Sequence, residues 1–150
     1  MSASLHLAGP ADLDRLIPLV AAFHSEMDIV QDDTTRRAAL HPLLEGSPHG
    51  AAYLIGPGRA PIGYVVITFG WSVEFGGLDG FVDEIFIRPT VRGRGIASEV
   101  LLALPRALAG AGLRALHLEV DRDDTAAQRL YAKTGFAARP RYMLMTRPFP

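Results

Sequence analysis

The sequence predicts an α/β chain built on one mixed sheet, and three observations carry that prediction. Apolar periods of two and of three to four residues follow one another in the order βααβββαβαββ. The strand–helix–strand run of the second half demands a parallel strand pair within an otherwise hairpin-connected sheet. A length of 150 residues, 49% of them hydrophobic and 21% charged, suits a single domain spanning residues 1–150. Such a chain buries a core without metal or disulfide staples.

The elements follow in order. Residues 4–8 alternate apolar and polar and stop at Gly9-Pro10, a short first strand. Leu13, Leu16, Ile17, Val20 and Phe23 then recur three or four apart, so a helix runs over residues 11–27 with Pro10 near its start. Asp32-Asp33 leads a second helix over 34–44, in which Pro42 weakens the last turn. Strands over 51–55 and 62–69 flank Gly56-Pro57-Gly58, a hairpin signal. A Gly-containing loop is expected over 71–79 and a strand over 80–87, which Pro89 ends. Beyond Gly93-Arg94-Gly95, the stripe Ile96, Val100, Leu101, Leu104 and Leu108 makes a long helix that ends near Gly110 and Gly112. A strand over 113–120 follows, then a short helix over 125–133 with Asp124 as its cap. Gly135-Phe136 opens a final strand pair near 142–146.

Composition narrows the function. Fifteen basic against sixteen acidic residues leave a formal net charge of −1, which argues against nucleic acid as a partner held by bulk charge. The absence of cysteine excludes a disulfide framework, thiol catalysis and a zinc–thiolate site, and fits a reducing compartment. The five histidines, His6, His24, His41, His49 and His117, show no metal-ligand spacing, so no metal is expected. No apolar run approaches the roughly 18–20 residues of a membrane span. The first ten residues lack the zones of a signal peptide, and the expectation is a soluble, cytoplasmic chain without a membrane partner.

The sharpest local signal is Arg92-Gly93-Arg94-Gly95-Ile96-Ala97, between a strand and a helix. Glycines let backbone approach a ligand without a Cβ in the way, and the first amides of the helix suit a phosphate or pyrophosphate. Arg92 and Arg94 add charge. A P-loop would need a Gly-Lys-Ser/Thr ending, which is absent. A dinucleotide fingerprint would need glycine where Ser98 stands and a turn directly after its strand. An acyl-CoA turn, Arg/Gln-x-x-Gly-x-Gly/Ala, is satisfied by Arg92, Gly95 and Ala97. An ordinary Gly-rich helix entry has the same six residues.

The surroundings of the turn resemble a known family. Val82-Asp83-Glu84-Ile85-Phe86-Ile87, then Arg88-Pro89, the turn, and an Ile/Leu-striped helix are similar to the central motif of the GNAT superfamily of acyl-CoA-dependent N-acetyltransferases. Leu118-Glu119-Val120, a polar loop, Ala127, Leu130-Tyr131 and Gly135-Phe136 resemble its closing motif. These matches cover about residues 81–136. One departure is Asp124, where the family often has Asn.

The resemblance implies a GNAT-like fold: a mixed, mostly antiparallel sheet whose central parallel pair splays to admit acyl-CoA, flanked by about four helices. It implies that the amide-rich pantetheine arm adds to the backbone of Ile85, Phe86 and Ile87 like an extra strand. Arg92, Gly93, Arg94, Gly95, Ile96, Ala97 and Ser98 would hold the pyrophosphate, with Asp124 beside the cofactor arm. Tyr131 would give a proton to the departing thiolate, although a Leu-Tyr pair on a short helix is also ordinary core packing. Amine attack on the thioester further needs a proton acceptor. Asp83 and Glu84 are the candidates, Glu84 first for its reach, and either could instead be a carboxylate paired with an arginine. Strand alternation places Glu84 with Val82 and Phe86, and Asp83 on the opposite face. His24, Glu26, Trp71 and Glu74 are candidates for the amine site, against a solvated helix end for the first two and plain core for Trp71.

The expected activity is N-acetyl transfer from acetyl-CoA to a primary amine of a small, polyamine-like or amino-acid-like molecule, by direct attack in a ternary complex. Acetylation of a protein N-terminus and a non-catalytic acyl-CoA-binding sensor are the alternatives. Dimers are common in the superfamily, and a terminal strand over 142–146 would offer an edge for a homodimer.

Overall fold

Leu5–Leu7 (β1), Gly50–Ile55 (β2), Gly63–Ser72 (β3), Gly77–Ile87 (β4) and Ala115–His117 (β5) form one sheet, in that spatial order, in the computed structural model, which describes residues 4–150. Pairing is antiparallel from β1 to β4 and parallel between β4 and β5. The chain divides into one unit ending at Glu119, which contains this sheet, and a second spanning Val120–Pro150.

One face of the sheet is covered by Leu13–Glu26 (α1) and Asp33–Leu44 (α2). Leu16, Leu19 and Val20 of α1 and Leu40 and Leu44 of α2 close over Ala52, Leu54, Tyr64, Val66 and Phe86. Burial of each large side chain contributes about 1.5–3 kcal/mol. Asp32 caps α2 by accepting from the Thr35 amide at 2.7 Å. Helix α2 runs through Pro42 to Leu44, where a frayed last turn was expected. Buried Leu40 and Leu44 outweigh the one helical bond that proline removes. On the opposite face Val65, Ile67, Val82 and Ile87 are buried. The third helix, Ile96–Ala107 (α3), buries Ile96, Val100, Leu101 and Leu104.

Three expectations need correction. The loop over 71–79 shrinks to a tight turn, because β3 continues through Trp71 and Ser72 and β4 begins at Gly77. Gly76, with φ of 81°, closes that turn by donating to the Ser72 carbonyl at 2.9 Å. The strand over 113–120 is only Ala115–His117. Finally, the second unit holds Thr125–Lys133 (α4), as expected, but no strand follows among the described residues. Alternation in the sequence reports which way side chains face. A strand also needs a neighbour for its backbone, and residues 142–146 have no ladder partner there and are exposed. The edge invoked for a homodimer is therefore missing.

A bulge shapes the centre of β4. Glu84 pairs with Val66, yet Val82 pairs with the adjacent Ile67, so Asp83 is an extra residue on β4. Val66 and Ile67 face opposite sides of the sheet, and Val82 and Glu84 do likewise. The expectation that Glu84 shares a face with Val82 is thus corrected. Glu84 goes with Tyr64 and Phe86 toward α1.

Candidate active site

Strand β4 keeps its parallel partner only from Asp79 to Phe81, opposite Ala115 to His117. From Val82 onward its ladder, among the described residues, is to β3 alone. A Cβ at Gly63 would strike the Phe86 carbonyl oxygen, so the Phe86 backbone groups point at β3. The groups of Ile85 and Ile87 then face the open edge. Arg92 donates from Nε to the Ile87 carbonyl at 2.8 Å, leaving the Ile87 N–H for an added strand. Of Ile85, Phe86 and Ile87, only the first and last turn backbone groups to the open edge.

The turn after β4 has the backbone that its glycines allow. Gly93 and Gly95 sit at φ of 79° and 76°, and a Cβ at either would meet open space. Side-chain volume there is unused by the protein itself, as a cradle for a ligand requires. Gly95 caps α3, whose first helical bond runs from Glu99 to the Gly95 carbonyl at 3.0 Å. The amides of Ile96, Ala97 and Ser98 precede that bond and lack intrahelical acceptors, a ready anion site. Exposed Arg94 adds charge. Arg92 is shared: Nη2 pairs with both oxygens of Glu26 at 2.8 and 2.9 Å, and the guanidinium stacks over Phe86. Arg92 and Glu26, expected at phosphate and amine respectively, tie the end of α1 to β4.

Glu84 is the centre of a buried polar chain. Tyr64 donates its hydroxyl to Oε1 at 2.7 Å, and His24 Nε2 lies 2.7 Å from Oε2. Behind His24, Arg36 donates from Nε to Nδ1 at 3.3 Å, from Nη2 to the Gln31 carbonyl at 2.7 Å, and from Nη1 to Asp33. His24 is 5% and Arg36 6% exposed. Burial, and then the Glu84 charge, pushes the Tyr64 phenol upward, so it stays a donor. Sequence reasoning flagged His24 but missed Arg36 and Tyr64. The available signal was the spacing Arg36, Leu40, Leu44, which sets a cation on the buried stripe of α2.

Asp83, the bulge residue, reaches solvent. Protein packed around its carboxyl, followed by the charges of Glu84 and Glu119, pushes its pKa up against the opposing pull of His24. Three carboxylates thus gather where β4 and β5 part, and their field favours a cation such as a protonated amine. Trp71 is 75% exposed and pairs with Leu78, six residues from Glu84 along β4. That places it, with Glu74 in the adjacent turn, about 20 Å away along the strand, so the structure does not bring these two to Glu84.

In the second unit, Asp124 spends its carboxylate on the cap of α4, accepting from the Ala127 amide at 2.9 Å. Tyr131 packs edge-on to Phe136 with ring centroids 6.1 Å apart. Burial first, then Asp124, raises its phenol pKa, so it keeps its proton at neutral pH. Among the described residues no group of three or more His, Asp or Glu side chains could hold a metal. No helix there is long and apolar enough to cross a membrane.

Comparison with known proteins bears on the family and the fold. The model of the Acetyltransferase (GNAT) family matches residues 16–136. An integron cassette protein from the mobile metagenome of Cole Harbour Salt Marsh is 31% identical, with a TM-score of 0.84 over 97% of this chain and 91% of that one. AAC(6')-Iy, solved with the bisubstrate analogue CoA-S-monomethyl-acetylneamine, is 17% identical with a TM-score of 0.82, covering 99% of this chain and 100% of that one. Ribosomal-protein-alanine N-acetyltransferase from Brucella melitensis biovar Abortus 2308 is 20% identical with a TM-score of 0.75, covering 99% and 100%. The last two likenesses show the fold. Among curated proteins no sequence match was found.

Proposed function

The chain belongs to the GNAT acetyltransferase family, and from that premise we propose that residues 1–150 act as one domain moving an acetyl group from acetyl-CoA to a primary amine of a small molecule. The observation that carries this reading is Glu84: an oriented carboxylate on β4, just where the β5 partner has ended and before the glycine turn.

The chemistry follows from the residues. The backbone of Ile85 pairs with the pantetheine amides, and the turn from Gly93 to Ser98 receives the pyrophosphate at the amino end of α3. Asp83, Glu84 and Glu119 draw the protonated amine toward the open edge. Glu84, with Asp83 as the second candidate, takes a proton from the amine, directly or through water. The amine nitrogen then bonds to the thioester carbon while the Ile87 N–H stabilises the carbonyl oxygen. The carbonyl re-forms as the C–S bond breaks with its electron pair on sulfur, the attacking nitrogen releases its second proton to solvent, and the thiolate takes one up. The family motif gives that last donation to Tyr131, whose raised pKa keeps it protonated but makes it a reluctant acid. AAC(6')-Iy, solved with CoA-S-monomethyl-acetylneamine, has the same fold, which supports a small polyamine-like acceptor.

Steady-state release of free thiol from acetyl-CoA across a panel of amines tests the proposal. Turnover that depends on a small amine is the expected result. Tight CoA binding without turnover on any amine or peptide would overturn it in favour of a sensor.

A further inference from the structure

The chain behind Glu84 has a direction, and the direction comes from arginine. A guanidinium has only donors and keeps its charge at any pH the protein meets. Arg36 points its Nε hydrogen at His24 Nδ1, so that nitrogen must present a lone pair. The ring proton then sits on Nε2, aimed at Oε2 of Glu84. An imidazolium, or the other tautomer, would set N–H against N–H inside a site where His24 and Arg36 are both buried. The other charged groups facing His24 are Glu84 and Asp83 from β4, and neither can supply a hydrogen to Nδ1 in its ionised form.

We propose that Arg36 and His24 are positioning residues for acetyl transfer. Arg36 locks His24 as the neutral tautomer with its proton on Nε2, and His24 with Tyr64 then fixes the Glu84 carboxylate in one rotamer. This rests on the reading of Glu84 as proton acceptor. It goes beyond that reading by giving His24, a candidate for the amine site, a place behind Glu84 and by giving buried Arg36 a task. Arg36 itself is held from two further sides, by Asp33 and by the Gln31 carbonyl, so its Nε hydrogen has a set direction. Without that lock the ring proton is free to sit on Nδ1, and Glu84 then loses a donor.

The decisive experiment is nitrogen-15 NMR of the His24 ring in the wild-type protein, with activity measured in parallel. The tautomer is expected to be Nε2–H, with a bare Nδ1. A ring that carries its proton on Nδ1 instead would overturn the proposal, and this arm needs no substitution. In the kinetic arm, the side-chain amide of His24→Gln replaces the Nε2–H donor, and the variant keeps kcat within severalfold of wild type. His24→Leu loses about 10²-fold in kcat, with KM for acetyl-CoA unchanged. Arg36→Met, which frees the ring to carry its proton on Nδ1, lowers kcat with KM for acetyl-CoA unchanged. Equal rates for His24→Leu and wild type, in an enzyme that Glu84→Gln disables, would overturn the positioning role. Failure of the functional reading looks different: no transfer by wild type, or Glu84→Gln as fast as wild type.

Discussion

Tyr64 donates its phenolic hydrogen to Oε1 of Glu84 across 2.7 Å, from a position with no solvent exposure. A hydrogen bond to a charged group contributes about 1.5–3 kcal/mol. Tyr64→Phe keeps the ring, with its contacts to Phe23 and Phe86, and deletes only that bond. Urea unfolding should show a loss of about that size, and kcat should fall while KM for acetyl-CoA holds. Unchanged stability and rate together would mean that the hydroxyl does not orient Glu84.

Asp83 and Glu84 differ in how the protein holds them. Glu84 has a donor on each oxygen, while Asp83 stands at the bulge without one of comparable burial. Glu84→Gln should lower kcat by about 10²–10⁴ at neutral pH and recover in part at high pH, where the amine sheds its proton unaided. Asp83→Asn should cost less. The reverse order in a pH–rate comparison would transfer the role to Asp83, and two active variants would leave the amine to lose its proton to solvent.

The raised pKa of Asp83 also has a consequence for stability. Its carboxyl binds a proton more tightly in the folded chain than in the unfolded one, where about 3.9 applies. Stability tied to the group is therefore fully present below that value and is lost as pH rises through the folded value. Asp83→Asn should raise the melting temperature at neutral pH. The gain should vanish once the pH drops below about 4. Calorimetry across that range checks the sign.

Gly95 separates backbone demand from charge. At φ of 76° any Cβ is strained, though open space surrounds it, and asparagine tolerates this region best. Gly95→Asn should stay folded and bind CoA more weakly. Gly95→Asp has nearly the same shape but sets a negative charge where pyrophosphate approaches, and titration calorimetry should detect no CoA binding. Equal affinities for the two variants would remove the turn from the cofactor site.

Tyr131→Phe distinguishes an acid from a packing tyrosine. The ring contact with Phe136 survives the change, so melting temperature and CoA affinity should barely move. If the phenol protonates the thiolate, kcat falls by about 10²-fold or more. An acyl donor with a more acidic thiol should then narrow the gap. Full activity in Tyr131→Phe would return the residue to packing.

Much of this protein was legible without coordinates, for an identifiable reason. Helix α4 and its Asp124 cap, the α2 start at Asp32 and the Gly93–Gly95 turn depend on residues a few positions apart, whose interactions are written into local spacing. The carboxylates Asp83 and Glu84 were visible because an apolar strand rarely carries charge. Tertiary structure decided the rest. His24 meets Glu84 across 60 positions, and Arg92 spends its charge on Glu26 across 66, pairings that no local period encodes. The bulge at Asp83 arises from a mismatch of register between two strands, so neither strand alone reveals that Val82 and Glu84 part company. Likewise, alternation near Tyr142 could state a facing but could not supply the neighbouring backbone that makes a strand. Local spacing singled out the glycine turn and the strand carboxylates. Only the packing of α1 and α2 on the sheet joined Arg36, His24, Tyr64 and Glu84, because burial forces each polar group there to find its partner among distant parts of the chain.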